Sequence, residues 1–441
     1  MSNTMTASDY TAQLIASYKV FEMQREEPEA LINARQRAIR HFEQHGLPTR
    51  KHEEWKYTNI GKYLKEGFAA RTQLATEEAT SADLDWAAIP ELEANRLVFI
   101  NGRYDAGHSE IKDAALQFTP INEAIANGHP AVMEAVEKVV NAEKDPFIWL
   151  NEALFTDGTV IEVADKAELQ YPVYLIHIEK PGEQPTLDCI RNIMTVGKNT
   201  KVQVIQNYLN GAGQQSNLAN HLTQVAVGEN SIVEWYNLQY HLDNALHLSN
   251  FEATIQRNAR FANYVFTTSG ELVRNTSNMK LLGEGADAHM YGLYQFTGSE
   301  HVDNRTLVDH AVPHCTSDEL YKGIMDGTAT AVFNGKIIVR PDAQKTNAFQ
   351  HNPNIILSDD AAVYSKPQLE IFADDVKCSH GATSGQLDED ALFYLQQRGL
   401  SLDDARGLLT YAFANEVIDK VNVPALQAYL QKTIQGNLLI H

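Results

Sequence analysis

A four-residue turn recurs along the middle of this chain, and it restricts the possible folds more than any other feature. Val196-Gly197-Lys198-Asn199, Val227-Gly228-Glu229-Asn230, Ile255-Gln256-Arg257-Asn258 and Leu282-Gly283-Glu284-Gly285 share one pattern, an apolar residue followed three places later by Asn or Gly. The last residues of these turns lie 31, 28 and 27 positions apart. Asn and Gly tolerate a positive φ, so each marks a tight turn. Apolar alternation follows each turn, as in Ile232, Glu234 and Tyr236 against Val233 and Trp235. Fainter echoes lie at Met325-Asp326-Gly327 and Leu357-Ser358-Asp359-Asp360. One turn in roughly 30 residues, with no helical period between, points to a solenoid of strands. A parallel β-helix fits this pattern. A large sandwich or jelly roll also supplies many strands with regular turn signals.

Helical patterns flank the β region and divide the chain into residues 1–157, 158–385 and 386–441. In the first region, Leu14, Ile15, Tyr18 and Phe21, then Leu31, Ile32, Ala38, Ile39 and Phe42, recur near a 3.6-residue period. Pro28 separates two helices there. Short helices are expected at 121–126, 131–140 and 146–154, a strand at 96–102, and a turn at Asp157-Gly158. The charged, aromatic loop from Pro48 to Thr58 reads as a packed surface loop. In the last region, Ser401 caps a helix whose apolar stripe is Ala405, Leu408, Leu409, Ala412, Phe413, Val417 and Ile418. Another helix starts near Pro424. These helices are too short for a core of their own and must pack on the β region or on a partner.

Composition removes several function classes. With 441 residues and 44% hydrophobic content, the chain can bury a large core. A net charge of -21 argues against non-specific nucleic-acid binding and against docking on anionic lipid. No apolar run approaches the length of a membrane span. The first ten residues are polar and lack the plan of a signal peptide. Cys189, Cys315 and Cys378 lie too far apart in sequence for a disulfide framework, so a cytoplasmic protein is expected.

The residues with the clearest chemistry are in Lys377-Cys378-Ser379-His380-Gly381. A thiol and an imidazole two positions apart share one face of a strand. Together they suit iron, zinc or copper(I) better than magnesium or calcium. A closed site usually takes four ligands, so the pair reads as half of a site, completed by another subunit. The plainer alternative is a packed cysteine beside a locally bonded histidine. His310-Ala311-Val312-Pro313-His314-Cys315 is a lesser metal candidate, since Pro313 breaks the helix that would bring the two histidines together. No P-loop, nucleophile elbow or dinucleotide-binding glycine pattern is present. Leu209-Asn210-Gly211-Ala212-Gly213 lacks the third glycine.

Several ordered motifs carry a family resemblance. They are Phe333-Asn334-Gly335-Lys336-Ile337-Ile338-Val339, Asp342-Ala343-Gln344-Lys345-Thr346, Asp374-Asp375-Val376-Lys377-Cys378-Ser379-His380-Gly381-Ala382-Thr383, Phe393-Tyr394-Leu395 with Arg398-Gly399, and Arg50, Glu54, Trp55, Lys56 and Tyr57 near the start. With these the chain resembles the SufB/SufD family of the SUF iron–sulfur cluster assembly system, and within it the SufD type. The resemblance implies a right-handed parallel β-helix between helical ends. It implies a non-catalytic scaffold that works with a SufB-type paralog and a SufC-type ABC ATPase. It makes His380 and Cys378 candidate iron or cluster-assembly residues at the partner interface. It makes the helix carrying Ala405, Leu408, Leu409, Ala412 and Phe413 the candidate ATPase dock. No tightly bound cofactor is expected in the isolated chain; iron or a cluster would be held transiently in the complex. A homodimer is plausible for the isolated chain. The alternatives are a β-helix enzyme acting on polysaccharide, which the charge and N-terminus disfavour, and a purely structural partner subunit.

Overall fold

The recurrent turn builds a parallel β-solenoid. The computed structural model describes residues 6–64, 67–74, 76–139, 145–180, 184–210 and 217–438. Residues 1–5 of the polar N-terminus, residue 140 of an expected helix and residues 211–213 of the glycine test lie outside the described residues. The chain climbs in rungs, each with one strand in each of two ten-stranded sheets. The first sheet includes Leu218–Val227, Leu246–Ile255, Leu272–Leu281, His301–His310, Thr330–Val339 and Ala362–Ile371. The second includes Ile232–His241, Arg260–Thr267, Asp287–Phe296, Thr316–Met325, Asn347–Ile356 and Lys377–Gly385. Neighbours within a sheet are parallel and in register, as in Leu246, Leu272, His301, Thr330 and Ala362. About seven such turns exclude the sandwich and the jelly roll, which are antiparallel.

The turn works through one backbone slot. Asn199, Asn230, Asn258 and Gly285 have φ of 54°, 56°, 54° and 72°. Their side chains form a ladder along the solenoid: Asn230 Nδ2 donates to Asn199 Oδ1 and Asn258 Nδ2 to Asn230 Oδ1, each at 3.2 Å. A Cβ on Gly285 would lie 2.5 Å from Asn258 Oδ1, so the ladder stops at a glycine. The slot continues at His314 and Lys345, both with φ of 61°. The echoes at 325–327 and 357–360 belong instead to the opposite turn, where the Leu357 N–H donates to the Met325 carbonyl at 2.8 Å.

Three layers of packing follow. The lumen between the sheets is apolar over much of its length, filled by Val204, Val233, Trp235, Phe251, Phe261, Met290 and Phe333. The N-terminal helices Ala7–Met23 and Glu29–His45, separated by Pro28, bring Leu14 and Phe42 into one cluster with Leu218, Leu246 and Leu272 of the first sheet. The C-terminal helices Leu402–Ile418 and Pro424–Leu438 pack Val417, Ile418, Leu426, Leu430 and Ile434 with Tyr236, Tyr264 and Ile324 of the second. Strands from the first 157 residues also extend both sheets. Arg103–Glu110 and Leu116–Pro120 are the outermost strands at the near end and pair antiparallel with their neighbours. Asp157-Gly158, expected as a turn, instead opens the strand Asp157–Val163. Glycine is needed there because a Cβ would come 1.8 Å from the Arg191 carbonyl oxygen.

The loop from Pro48 to Thr58 packs, as expected, and clasps the outside of the first sheet. Trp55 is buried, and the Arg274 guanidinium lies 3.7 Å from its ring centroid. Arg274 and Arg305 both donate to the Glu54 carbonyl, while Tyr57 stacks on Tyr364 with centroids 4.4 Å apart.

Asn230→Ala is expected to lower the urea unfolding midpoint, costing about 1–2 kcal/mol, because only the alanine strains the left-handed slot. Asn230→Gly loses the same ladder bond but keeps the conformation. Equal losses for the two variants would remove backbone strain as the cause.

Candidate site at the open end of the solenoid

The far end of the solenoid is uncapped. Lys377–Gly385 pairs only with Asn347–Ile356, and Ala362–Ile371 pairs only with Thr330–Val339, among the described residues. Each last strand therefore presents an edge of backbone donors and acceptors. Phe349, Tyr364, Ile371 and Phe372 add exposed apolar surface near this end.

Cys378 and His380 stand on this last strand and share its lumen-side face. In register, Cys378 stacks on Ala348 and His380 on Gln350, both of which are buried. Cys378 is half-buried against the small cluster of Ile337, Val339, Ala343, Ala348 and Ala373. That burial pushes its thiol above the usual cysteine range, against a lowering hydrogen bond to the Ala348 backbone. His380 is exposed. No group of three or more His, Cys, Asp or Glu residues able to hold a metal occurs among the described residues. The pair thus stands as a half-buried thiol and an exposed imidazole on one face of the edge strand.

One rung inward the lumen turns polar. Glu319, Gln350 and His380 occupy successive in-register positions. Glu319 Oε2 accepts from Thr306 Oγ1 at 2.6 Å and from Gln350 Nε2 at 3.1 Å. Burial pushes the Glu319 carboxyl up to about 7, although both hydrogen bonds act to lower it. Gly335, inside one of the family-like motifs, leaves the space that Gln350 fills, since a Cβ there would lie 2.2 Å from Gln350 Nε2.

The other candidates separate. His310 ends a strand, is buried and bonds Ser317 Oγ at 2.9 Å, and desolvation lowers its imidazole to about 4. His314 is exposed in the left-handed turn slot, and Cys315 lies buried between the sheets. The expected apolar stripe of the docking helix splits into two faces. Ala405, Ala414, Val417 and Ile418 are buried; Leu409 and Phe413 are half-buried; Leu408 and Ala412 are exposed. Leu402, Phe393 and Tyr394 are exposed with them. Away from all of these, a groove of about 790 Å³ crosses the outer face of the first sheet beside Arg274, Arg305 and Lys336, and neither Cys378 nor His380 lines it.

Residues 178–413 match the SufBD core domain of SUF-system iron–sulfur cluster assembly, and residues 8–175 match the SufBD N-terminal region. The chain belongs to the SufBD family. It is 30% identical over 418 residues to an iron–sulfur cluster assembly SufBD family protein of Synechocystis, covering 92% of this chain and 91% of that protein. It is 30% identical over 388 residues to the iron–sulfur cluster assembly protein SufD of Escherichia coli, covering 87% of each. Bacillus subtilis SufD is 22% identical over 432 residues, 95% of this chain and 96% of that protein. SufBD membership places the chain in the SUF system.

This SufBD chain also holds a buried cluster that its sequence did not reveal. His177, Tyr208, His221 and His247 come from four strands of successive rungs, with ring centroids 4.6–5.3 Å apart. Glu179 Oε1 lies 3.7 Å from His221 Nε2. Desolvation lowers His221 to about 3 and raises Glu179 to about 7, so both are neutral in the fold near pH 6. The signs oppose. As pH falls from about 7 to 4.5, the folded Glu179 holds a proton that the unfolded one does not, and stability rises. As pH falls from 6.5 towards 3, only the unfolded His221 takes up a proton, and stability falls. Removing the histidine term by His221→Gln should flatten the acid limb of a plot of thermal midpoint against pH between 6.5 and 3. A parallel offset at every pH would show that His221 is not a source of the acid sensitivity.

Proposed function

We propose that this chain is the SufD-type scaffold of a cluster assembly complex, and that its open solenoid end meets a SufB-type paralog. The carrying observation is the uncapped last rung, with Cys378 and His380 on the lumen-side face of a free edge strand. A second β-solenoid set against this end would satisfy the strand edges and cover Phe349, Tyr364 and Phe372. It would also supply the ligands that the pair lacks. His380 offers an imidazole nitrogen to iron. Cys378, whose thiol is held protonated by burial, gives up its proton as it takes metal. Iron and sulfide are cargo here, and the scaffold hydrolyses nothing. In the absence of the paralog, the same edges favour a homodimer.

The exposed apolar face of Leu402, Leu408 and Ala412, beside Phe393 and Tyr394, is the dock for a SufC-type ABC ATPase. Its size and exposure are what an interface core needs. No helix among the described residues is long and apolar enough to cross a membrane, and the three cysteines are free thiols, in keeping with work in the cytoplasm.

The test is anaerobic co-purification with the paralog and the ATPase, followed by iron and sulfide analysis. His380→Ala is expected to lose most of the cluster while the three subunits still co-elute. Unchanged cluster content would leave the chain a structural partner only. Leu408→Glu is expected to release the ATPase by at least about tenfold in affinity and leave the paralog bound. Retention of the ATPase would move the dock elsewhere.

A further inference from the structure

We propose that Gln350, clamped from below by Glu319, is the positioning residue for His380, accepting one imidazole N–H so that the other ring nitrogen faces the incoming metal. This rests on the reading of His380 as a ligand, and it assigns work to two residues that touch no cargo.

The argument begins with register. Glu319, Gln350 and His380 are in-register partners on three successive parallel strands, so their side chains stack on one face about 4.8 Å apart. Gln350 and Glu319 are fully buried. The amide of Gln350 is held at its nitrogen end only: Nε2 donates to Glu319 Oε2 at 3.1 Å, while its Oε1 is buried with no hydrogen-bond partner. An unpaired buried acceptor is costly and requires an explanation. The orientation of the amide is not free. Glu319 Oε2 already accepts from Thr306 Oγ1, and the nitrogen of Gln350 completes that set. Turning the amide over would cost the Nε2 donation to Glu319 Oε2, the oxygen that also accepts from Thr306 Oγ1. The orphan Oε1 is therefore fixed as an acceptor within one rung of an imidazole that can donate.

Chemistry supplies the consequence. A metal-binding histidine coordinates through one nitrogen and donates its other N–H to an oxygen, which sets tautomer and ring orientation. Gln350 offers that oxygen without adding charge. Gly335 supports the assignment: it leaves the space in which Gln350 stands, and any side chain there would displace the amide. Glu319, buried at the rung where the lumen turns polar, is the fixed end of the chain.

The test compares Gln350→Met, Glu319→Gln and His380→Ala. First, the chain is labelled with 15N-histidine and the His380 ring signals are assigned by their absence in His380→Ala. One dominant tautomer is expected in the wild type and in Glu319→Gln, which keeps an acceptor oxygen for the Gln350 amide. A mixture is expected in Gln350→Met. Second, ferrous iron affinity and cluster content are measured in the anaerobic complex. Gln350→Met should fall about 10-fold or more, with Glu319→Gln close to wild type. A thermal melt of each variant excludes unfolding as the cause. The same tautomer distribution in Gln350→Met and wild type would overturn the proposal, as would loss of cluster in His380→Ala with none in Gln350→Met. A fixed tautomer with cluster content indifferent to His380→Ala would instead sink the ligand reading and leave the hydrogen bond standing.

Discussion

Each rung of this molecule depends on the next one for its backbone hydrogen bonds, and that dependence fixes where function can sit. Strands such as Thr330–Val339 are paired on both sides, so the middle of the solenoid offers no free edge. Among the described residues both ends leave outermost strands paired on one side only: Arg103–Glu110 and Leu116–Pro120, folded back antiparallel, at the near end, and Ala362–Ile371 and Lys377–Gly385 at the far end. The unpaired edges of Ala362–Ile371 and Lys377–Gly385 are an aggregation hazard unless something covers them. An edge left open, next to exposed Phe349 and Phe372, is consistent with a surface made to be covered.

In-register stacking also turns sequence into columns. Residues roughly 30 apart become neighbours about 4.8 Å apart, and like groups then repeat their interactions rung by rung. The asparagine ladder is one such column, on the outside. The line from Glu319 through Gln350 to His380 is another, on the inside. A column carries a constraint inward from an exposed residue to a buried one without any loop or hinge. That makes it a stiffer support than the turns themselves can give.

The fold was largely legible because its turn slot demands a positive φ, and Asn199, Asn230, Asn258 and Gly285 declare that demand openly. Where the slot is held by His314 and Lys345 the repeat disappears from view, although the backbone is unchanged. The residues of the open end were legible as a pair because two positions on a strand share a face. Their supports were not, because seeing Gln350 beneath His380 requires exact strand boundaries, and one residue of slip would turn it outward. The cluster of His177, His221 and His247 was hidden for the same reason, being spread over three rungs. The stripe on Leu402–Ile418 misled in another way. Its apolar residues exceed what one sheet can cover, so Ala414 and Val417 face the sheet while Leu408 is left exposed.

That excess places the two proposed interfaces on one mechanical element. The helix Leu402–Ile418 rests on the second sheet, where Lys322 donates to the Phe413 carbonyl at 3.0 Å and pairs with Glu416. Lys322 belongs to the strand Thr316–Met325, whose lumen face carries Glu319. Two rungs further on, the same sheet ends in the strand that carries His380. A partner that moved the helix would push on the strand that holds Gln350, and backbone hydrogen bonds would carry that load to the strand of His380. A packed sheet transmits such a load as a rigid body, since its neighbours leave no room to deform. In a scaffold built this way, the proposed dock and the proposed site would share one sheet, joined through Thr316–Met325, Asn347–Ile356 and Lys377–Gly385.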